Sequence, residues 1–115
     1  MEEIIKQRTI QEYVPGRQIT LCHIIAKPGP DVFQKLGLDG SAGQAIGILT
    51  ITPSEAAIIA ADTCSKAAKV RLGFLDRFSG SVVITGEIYG IESAFGAVLS
   101  LFAQLKFDAV GITKS

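Results

Sequence analysis

The sequence predicts an α+β domain, an α/β sandwich with a ferredoxin-like βαββαβ core in which an antiparallel sheet carries two helices on one face. Three observations predict it. From Ala45 onward the apolar residues recur with a period of two or of three to four, in the order strand, helix, strand, strand, helix, strand. Thr52-Pro53-Ser54-Glu55 has the composition of a helix start, and Asp76 to Gly80 that of a turn joining two strands. The chain has 115 residues, enough for one hydrophobic core and too few for two.

Residues 1–18 are the most polar stretch and form a separate N-terminal segment; residues 19–115 form the single domain. Within the first segment Thr9, Ile10, Gln11, Glu12, Tyr13 and Val14 alternate polar and apolar before Pro15-Gly16 breaks the pattern, which predicts a short strand. Ile19 to Ala26 places Ile19, Leu21, His23 and Ile25 on one face and Thr20, Cys22, Ile24 and Ala26 on the other, and Pro28-Gly29-Pro30 ends it. This strand is additional to the βαββαβ set and is expected at an edge of the sheet. Asp31 to Leu36 suits one or two helical turns with Val32, Phe33 and Leu36 inward, and Gly37 to Gly43 is a loop.

Ala45 to Thr52 is an isoleucine-rich strand. Thr52 is expected to cap the following helix, with Pro53 at its first position and Glu55 reaching back to the cap. That helix should run to about Ala68, and its alanines at 56, 57, 60, 61, 67 and 68 let a sheet approach on one side and a neighbour on another. Val70, Leu72 and Phe74 alternate with Arg71 and Gly73, and Ser81 to Ile88 resumes the strand pattern after the turn, making a hairpin. After Tyr89-Gly90, the spacing of Ile91, Ala94, Phe95, Val98, Phe102 and Leu105 predicts an amphipathic helix to about Lys106. Phe107 to Thr113 is the final strand.

Hydrophobic residues make up 48% of the chain and charged ones 19%, with 11 basic side chains against 11 acidic. A surface so neutral and sparsely charged does little to hold copies apart, which points to a subunit that associates. It offers no electrostatic footprint for nucleic acid or an anionic membrane. The most apolar windows, Ala45 to Ile51 and Ala56 to Ala61, fall far short of the roughly 20 residues needed to cross a bilayer. The acidic opening Met-Glu-Glu lacks the layout of a signal peptide, so a cytoplasmic location is expected. Cys22 and Cys64 belong to no Cys-x-x-Cys and are read as two buried, reduced thiols.

Catalytic chemistry finds little purchase. The single histidine, His23, lies mid-strand and is read as a core or interface residue rather than a base. Asp62, Asp76, Glu87, Glu92 and Asp108 share no element at a spacing that would aim two carboxylates into one cleft. No metal-ligand spacing occurs, and Gly40-Ser41-Ala42-Gly43 with Gly47 matches neither the dinucleotide fingerprint nor a P-loop. No enzyme, cofactor or metal is therefore expected. Two other readings stay open on residues alone: a small-ligand sensor using Asp76, Arg77 and Ser79 at a subunit interface, and a cleft assembled across subunits from His23 and Asp108.

The strings Ile10-Gln11-Glu12-Tyr13-Val14-Pro15-Gly16, Ala45-Ile46-Gly47-Ile48-Leu49-Thr50-Ile51-Thr52-Pro53-Ser54-Glu55-Ala56 and Gly73-Phe74-Leu75-Asp76-Arg77-Phe78-Ser79-Gly80 closely resemble the circularly permuted shell proteins of bacterial microcompartments, the EutS and PduU types of ethanolamine and propanediol utilisation. The resemblance spans essentially the whole chain, including the ending Thr113-Lys114-Ser115.

It implies a cyclic homohexamer that tiles edge to edge with other shell proteins around encapsulated enzymes. It implies that Ile19 to Leu36 is the C-terminal strand and tail of the unpermuted proteins moved to the front. Lys66 and Lys27 look similar to the two basic residues at the contact between hexamers, with Lys27 in place of an arginine and without its bidentate geometry. Asp76, Arg77, Phe78, Ser79 and Gly80 resemble the hairpin tip that lines the central pore, Phe78 being bulkier than its counterpart there. By the same resemblance Thr9 to Val14 contributes one strand per subunit to a six-stranded barrel over the pore. From its position alone, the N-terminal segment is a candidate docking surface for targeting peptides of cargo enzymes.

Overall fold

The computed structural model describes residues 16–38 and 44–115. The strand expected over Thr9 to Val14 and the loop residues 39–43 lie outside them. The described elements are β1 (Gln18–Ile25), α1 (Pro30–Lys35), β2 (Ala45–Thr52), α2 (Ala56–Ala67), β3 (Arg71–Asp76), β4 (Ser81–Gly86), α3 (Ile88–Gln104), β5 (Asp108–Ala109) and β6 (Thr113–Lys114).

One sheet carries them in the order β3-β4-β2-β1-β5, with β6 also pairing β1. The order corrects the expectation for the first strand. β1 is interior: it pairs antiparallel with β2 on one side and parallel with β5 and β6 on the other. In a βαββαβ sheet the last strand lies beside the first, and here β1 takes that place while the C-terminal strand is pushed outward. That is the arrangement expected of a strand moved from the end of a chain to its front. The displaced strand, expected continuous from Phe107 to Thr113, is two pairs of residues separated by Val110–Ile112.

The helix after β2 also starts later than expected. Thr52 still belongs to β2, where it pairs with Gln18, and the N-cap position falls three residues later, at Glu55. A turn over Pro53–Glu55 intervenes, closed by Ala56 N–H to the Pro53 carbonyl at 3.0 Å, and the helix begins at Ala56 without a side-chain cap. The helix expected after Tyr89-Gly90 begins earlier, at Ile88, because β4 ends at Gly86.

α2 and α3 pack on one face of the sheet. Ile19, Cys22 and Ile24 of β1, Leu49 and Ile51 of β2 and Val82 and Ile84 of β4 meet Ala56, Ala57, Ala60, Ala61 and Cys64 of α2 and Ile91, Phe95, Val98 and Phe102 of α3. Glycine is required where α3 crosses β2. A Cβ on Gly47 would stand 2.7 Å from Ile91 Cγ2 and 2.8 Å from Phe95 Cζ. Small residues therefore set the helix-to-sheet spacing on both elements, as the alanine pattern of α2 anticipates. Ala67, counted in that pattern, is exposed at the end of the helix.

The registers give the sheet two distinct ends. Gln18 pairs with Thr52, Thr50 with Ser81 and Ser81 with Asp76, so the start of β1, the end of β2 and the β3–β4 turn share one end. Ile25 pairs with Ile46, Ala45 with Gly86 and Arg71 with Thr85 at the other. Residues 1–15 thus attach at the end that carries the β3–β4 turn.

Candidate functional site

The turn between β3 and β4 presents the tip residues named from sequence. Asp76 is the last residue of β3, and its Oδ1 accepts from the backbone N–H of Phe78 at 2.9 Å and of Ser79 at 3.3 Å. These bonds stabilise the carboxylate, and with the Ser79 side chain they hold its pKa below the usual aspartate value. Gly80 closes the turn with φ +79°, donating to the Asp76 carbonyl at 2.8 Å and accepting from Ile51 N–H at 2.9 Å. A Cβ there would lie 2.2 Å from the Ile51 carbonyl oxygen, so only glycine seats the tip against the end of β2.

This clamped turn holds a large aromatic side chain in solvent. Phe78 is 80% exposed, and the Arg77 guanidinium carbon stands 4.9 Å from its ring centroid, a cation–π pair. The Ser79 hydroxyl bonds that of Ser81 at 3.0 Å. Beside the tip runs an open groove of about 540 Å³ lined by Ile58, Leu75, Asp76, Arg77 and Phe78. Sequence reading found the tip and missed Ile58 and Leu75. The signal for Ile58 was present: at 58 and 59 two isoleucines interrupt the alanines that face the core, and both are about half exposed.

The basic residues named as edge contacts lie at the other end of the sheet. Lys66 is in the last turn of α2, where it pairs with Asp62 at 2.9 Å on an exposed surface. That helix end sits beside the end of β4, since the Lys69 carbonyl oxygen would be 3.5 Å from a Cβ on Gly86. Lys27 is exposed two residues past β1, whose last residue Ile25 pairs with Ile46 at the same end. The fold thus separates the two candidate sets: tip at one end, lysines at the other.

The remaining candidates are used structurally. Both ring nitrogens of His23 face hydroxyls, Nδ1 that of Thr113 at 2.6 Å and Nε2 that of Ser115 at 2.8 Å. Asp108 pairs in register with Gln18, five positions along β1 from His23, so the chain itself forms no cleft from the two. Asp62 pairs with Lys66, and Glu92 with Lys114. Cys22 and Cys64 are both buried; burial first, and for Cys22 also the neighbouring Cys64, push the thiols up to about 12 and about 11. No Cα of α2 comes within 8 Å of one in β1, beyond the roughly 4.4–6.8 Å that a disulfide spans. Among the described residues no group of three or more side chains could hold a metal ion, and no helix is long and apolar enough to cross a membrane.

Residues 45–111 match the family model of the BMC domain, which begins at β2 and so leaves β1 outside the match. The chain is 54% identical over 109 residues to the bacterial microcompartment shell protein PduU of Salmonella typhimurium, spanning 94% of this chain and 93% of that one. It is 48% identical over 111 residues to the shell protein EutS of Escherichia coli, spanning 96% and 98%. It is 47% identical over 117 residues to the shell protein CutR of Streptococcus intermedius, spanning 100% and 99%. The solved flat hexamer of CutR superposes with a TM-score of 0.84 over 94% of this chain and 99% of that one, at 47% identity. These relatives are shell proteins rather than enzymes, and they lend no support to a ligand sensor. With its α+β fold and whole-chain similarity, this chain belongs to the BMC-domain family of bacterial microcompartment shell proteins.

Proposed function

We propose that this chain is a hexameric tile of a microcompartment shell, with the β3–β4 turn at the six-fold axis and Lys27 and Lys66 at the outer edge where tiles meet. The observation that carries the placement is the two-ended sheet: tip and lysines lie at opposite ends, as a wedge-shaped subunit running from axis to rim requires. Around the axis, Arg77, Phe78, Ser79 and Gly80 of six copies surround the central opening, with Asp76 anchoring each turn. Residues 1–15 leave the described domain at this same end, which supports Thr9 to Val14 as one strand of a six-stranded barrel over the opening. Closing a barrel would leave those strands no unpaired edge. The barrel is then the candidate docking surface for targeting peptides of the enclosed enzymes, and the other partners are neighbouring shell tiles. The sparse charge of the chain, 19% of residues, suits a subunit buried along two sets of edges.

Absolute mass by light scattering after size exclusion tests the ring. The expected value is about 73 kDa, six subunits of 12.2 kDa. A monomer or dimer at micromolar concentration overturns it. Deleting residues 1–16 tests the barrel: the expected product keeps the hexameric mass and a cooperative unfolding transition while its central channel opens in single-particle images. An unfolded product would instead place that segment in the core.

A further inference from the structure

Resting on the six-fold ring proposed above, we infer that Phe78 of each copy seats in the groove beside the tip of the next copy, on Ile58 and Leu75, with Arg77 meeting that copy's Asp76. A ring is built from head-to-tail contacts, so each subunit must carry both a projection and a complementary recess. Both are present. The projection is Phe78, 80% exposed on a turn that Asp76 and Gly80 hold rigid. The recess is the groove of about 540 Å³, with Ile58 and Leu75 supplying apolar wall and Asp76 a carboxylate.

The chemistry of the two is complementary. An aromatic ring preordered on a fixed turn enters an apolar recess at little conformational cost. The cation that accompanies it, Arg77 at 4.9 Å from the ring centroid, arrives beside the carboxylate in the recess wall.

Geometry adds a constraint within that ring. In a six-fold ring, equivalent atoms of adjacent copies are separated by their own distance from the axis. The projection itself forms one wall of the recess, so projection and recess are adjacent on one subunit. A ring seated in the next copy's groove is then about one groove width from that copy's Phe78. This contact closes a six-membered ring only if the tip stands within about one groove width of the axis, the position proposed for it above. A tip at the rim could not use a recess beside itself. The seating turns the phenyl group away from the opening and leaves Ser79 nearest to it.

Mixed cross-linking tests the contact. Chains carrying Ile58→Cys and chains carrying Phe78→Cys, with different affinity tags, are co-assembled and oxidised; both positions are exposed, and the native thiols are buried. The expected result is a disulfide-linked dimer bearing both tags within material of about 73 kDa, six times 12.2 kDa. Intact hexamers without that dimer, or with dimers of the Phe78→Cys chain alone, overturn the seating while leaving the ring in place. Failure of the unsubstituted chain to form hexamers overturns the ring and the contact together. As a second measurement, Phe78→Ala should raise the concentration at which hexamers dissociate by roughly tenfold or more. An unchanged dissociation concentration contradicts the inference.

Discussion

His23 Nδ1 lies 2.6 Å from the hydroxyl oxygen of Thr113, 90 positions later in the chain, and so fastens the C-terminus to the middle of β1. The Thr113 hydroxyl donates to the Cys22 carbonyl over a long 3.5 Å, which leaves its oxygen to accept from Nδ1–H. Nε2 then accepts from the Ser115 hydroxyl at 2.8 Å. Ladder bonds run alongside, Ser115 N–H to the Ile24 carbonyl and Ala26 N–H to the Ser115 carbonyl, both at 2.9 Å. With β6 only two residues long, the histidine adds two side-chain bonds to these few ladder bonds. His23→Ala removes two hydrogen bonds worth about 0.5–1.5 kcal/mol each. Amide exchange of Ser115 and Ala26 should accelerate by roughly tenfold while the core amides of α3 keep their protection. Unchanged exchange at both positions would show that the ladder alone suffices.

Gly47 controls how closely α3 approaches the sheet. Gly47→Ala places a methyl group 2.7 Å from Ile91 and 2.8 Å from Phe95, both fully buried. Overpacking of this kind costs about 1–3 kcal/mol, read as a lower denaturant midpoint with the slope preserved. Gly96, within α3, faces open space, and a Cβ added there would meet nothing within 4 Å. Gly96→Ala should stabilise by about 0.5–1 kcal/mol through helix propensity. Equal effects at the two positions would contradict the close crossing.

What the sequence could and could not announce follows from which forces act locally. Alternation and turn chemistry are local, so Ile19 to Ala26, Ala45 to Thr52 and the Asp76 to Gly80 turn were legible, the last with its glycine in the position that needs positive φ. The neighbours of a strand are not local. Nothing in Gln18–Ile25 states that it lies between β2 and the C-terminal strands, and family resemblance alone anticipated a strand moved from the end. The helix start is a second case: Thr52 has the chemistry of a cap, but β2 runs through Thr52, paired with Gln18 34 residues earlier, and a turn over Pro53–Glu55 delays the helix to Ala56. The tip of the candidate site was visible as a motif, whereas its groove joins Ile58 to Leu75 across two elements and exists only in the folded chain.

Asp76 gives the tip a defined pH dependence. Its carboxyl is held below the usual range by the Phe78 amide first, then by the Ser79 side chain and amide. The folded-state pKa is therefore lower than the unfolded value of about 3.9. The carboxylate contributes stability that is present above that unfolded value and is lost as pH falls through the folded one. Asp76→Asn keeps an acceptor oxygen but removes the titration. Its stability should therefore fall less steeply than that of the parent between about pH 4 and pH 2, measured as urea midpoints across that interval. Parallel pH profiles for the two proteins would show that the turn does not depend on the charge.

Burial makes both thiols chemically silent in the folded chain. Cys22 and Cys64 are pushed up to about 12 and about 11 by desolvation, so at neutral pH almost none of either is thiolate. Labelling by a thiol-reactive chromophore should proceed only as fast as the domain opens and should become complete in denaturant. Oxidation of the native protein should give no intramolecular Cys22–Cys64 disulfide, since their elements are too far apart. Rapid labelling of either residue under native conditions would contradict the packing of β1 against the helices.

Lys66 allows the proposed outer edge to be tested separately from the fold. Its pair with Asp62, at 2.9 Å with both side chains more than half exposed, is an i,i+4 helix pair of a kind worth only about 0.3–0.5 kcal/mol. Lys66→Ala should therefore leave the unfolding midpoint nearly unchanged, because alanine is at least as good a helix former as the lysine it replaces. It should also leave the mass at that of six 12.2 kDa subunits, since the tip end proposed for the six-fold axis is untouched. What it should remove is the association of hexamers into extended sheets, expected as arrays of the parent and dispersed particles of the variant in negative-stain images at the same protein concentration. Lys27→Ala, at the same end of the sheet, should act in the same direction. Loss of the hexamer in either variant would move these lysines from the outer edge to the contact within the ring, and arrays that persist in both would remove them from assembly altogether.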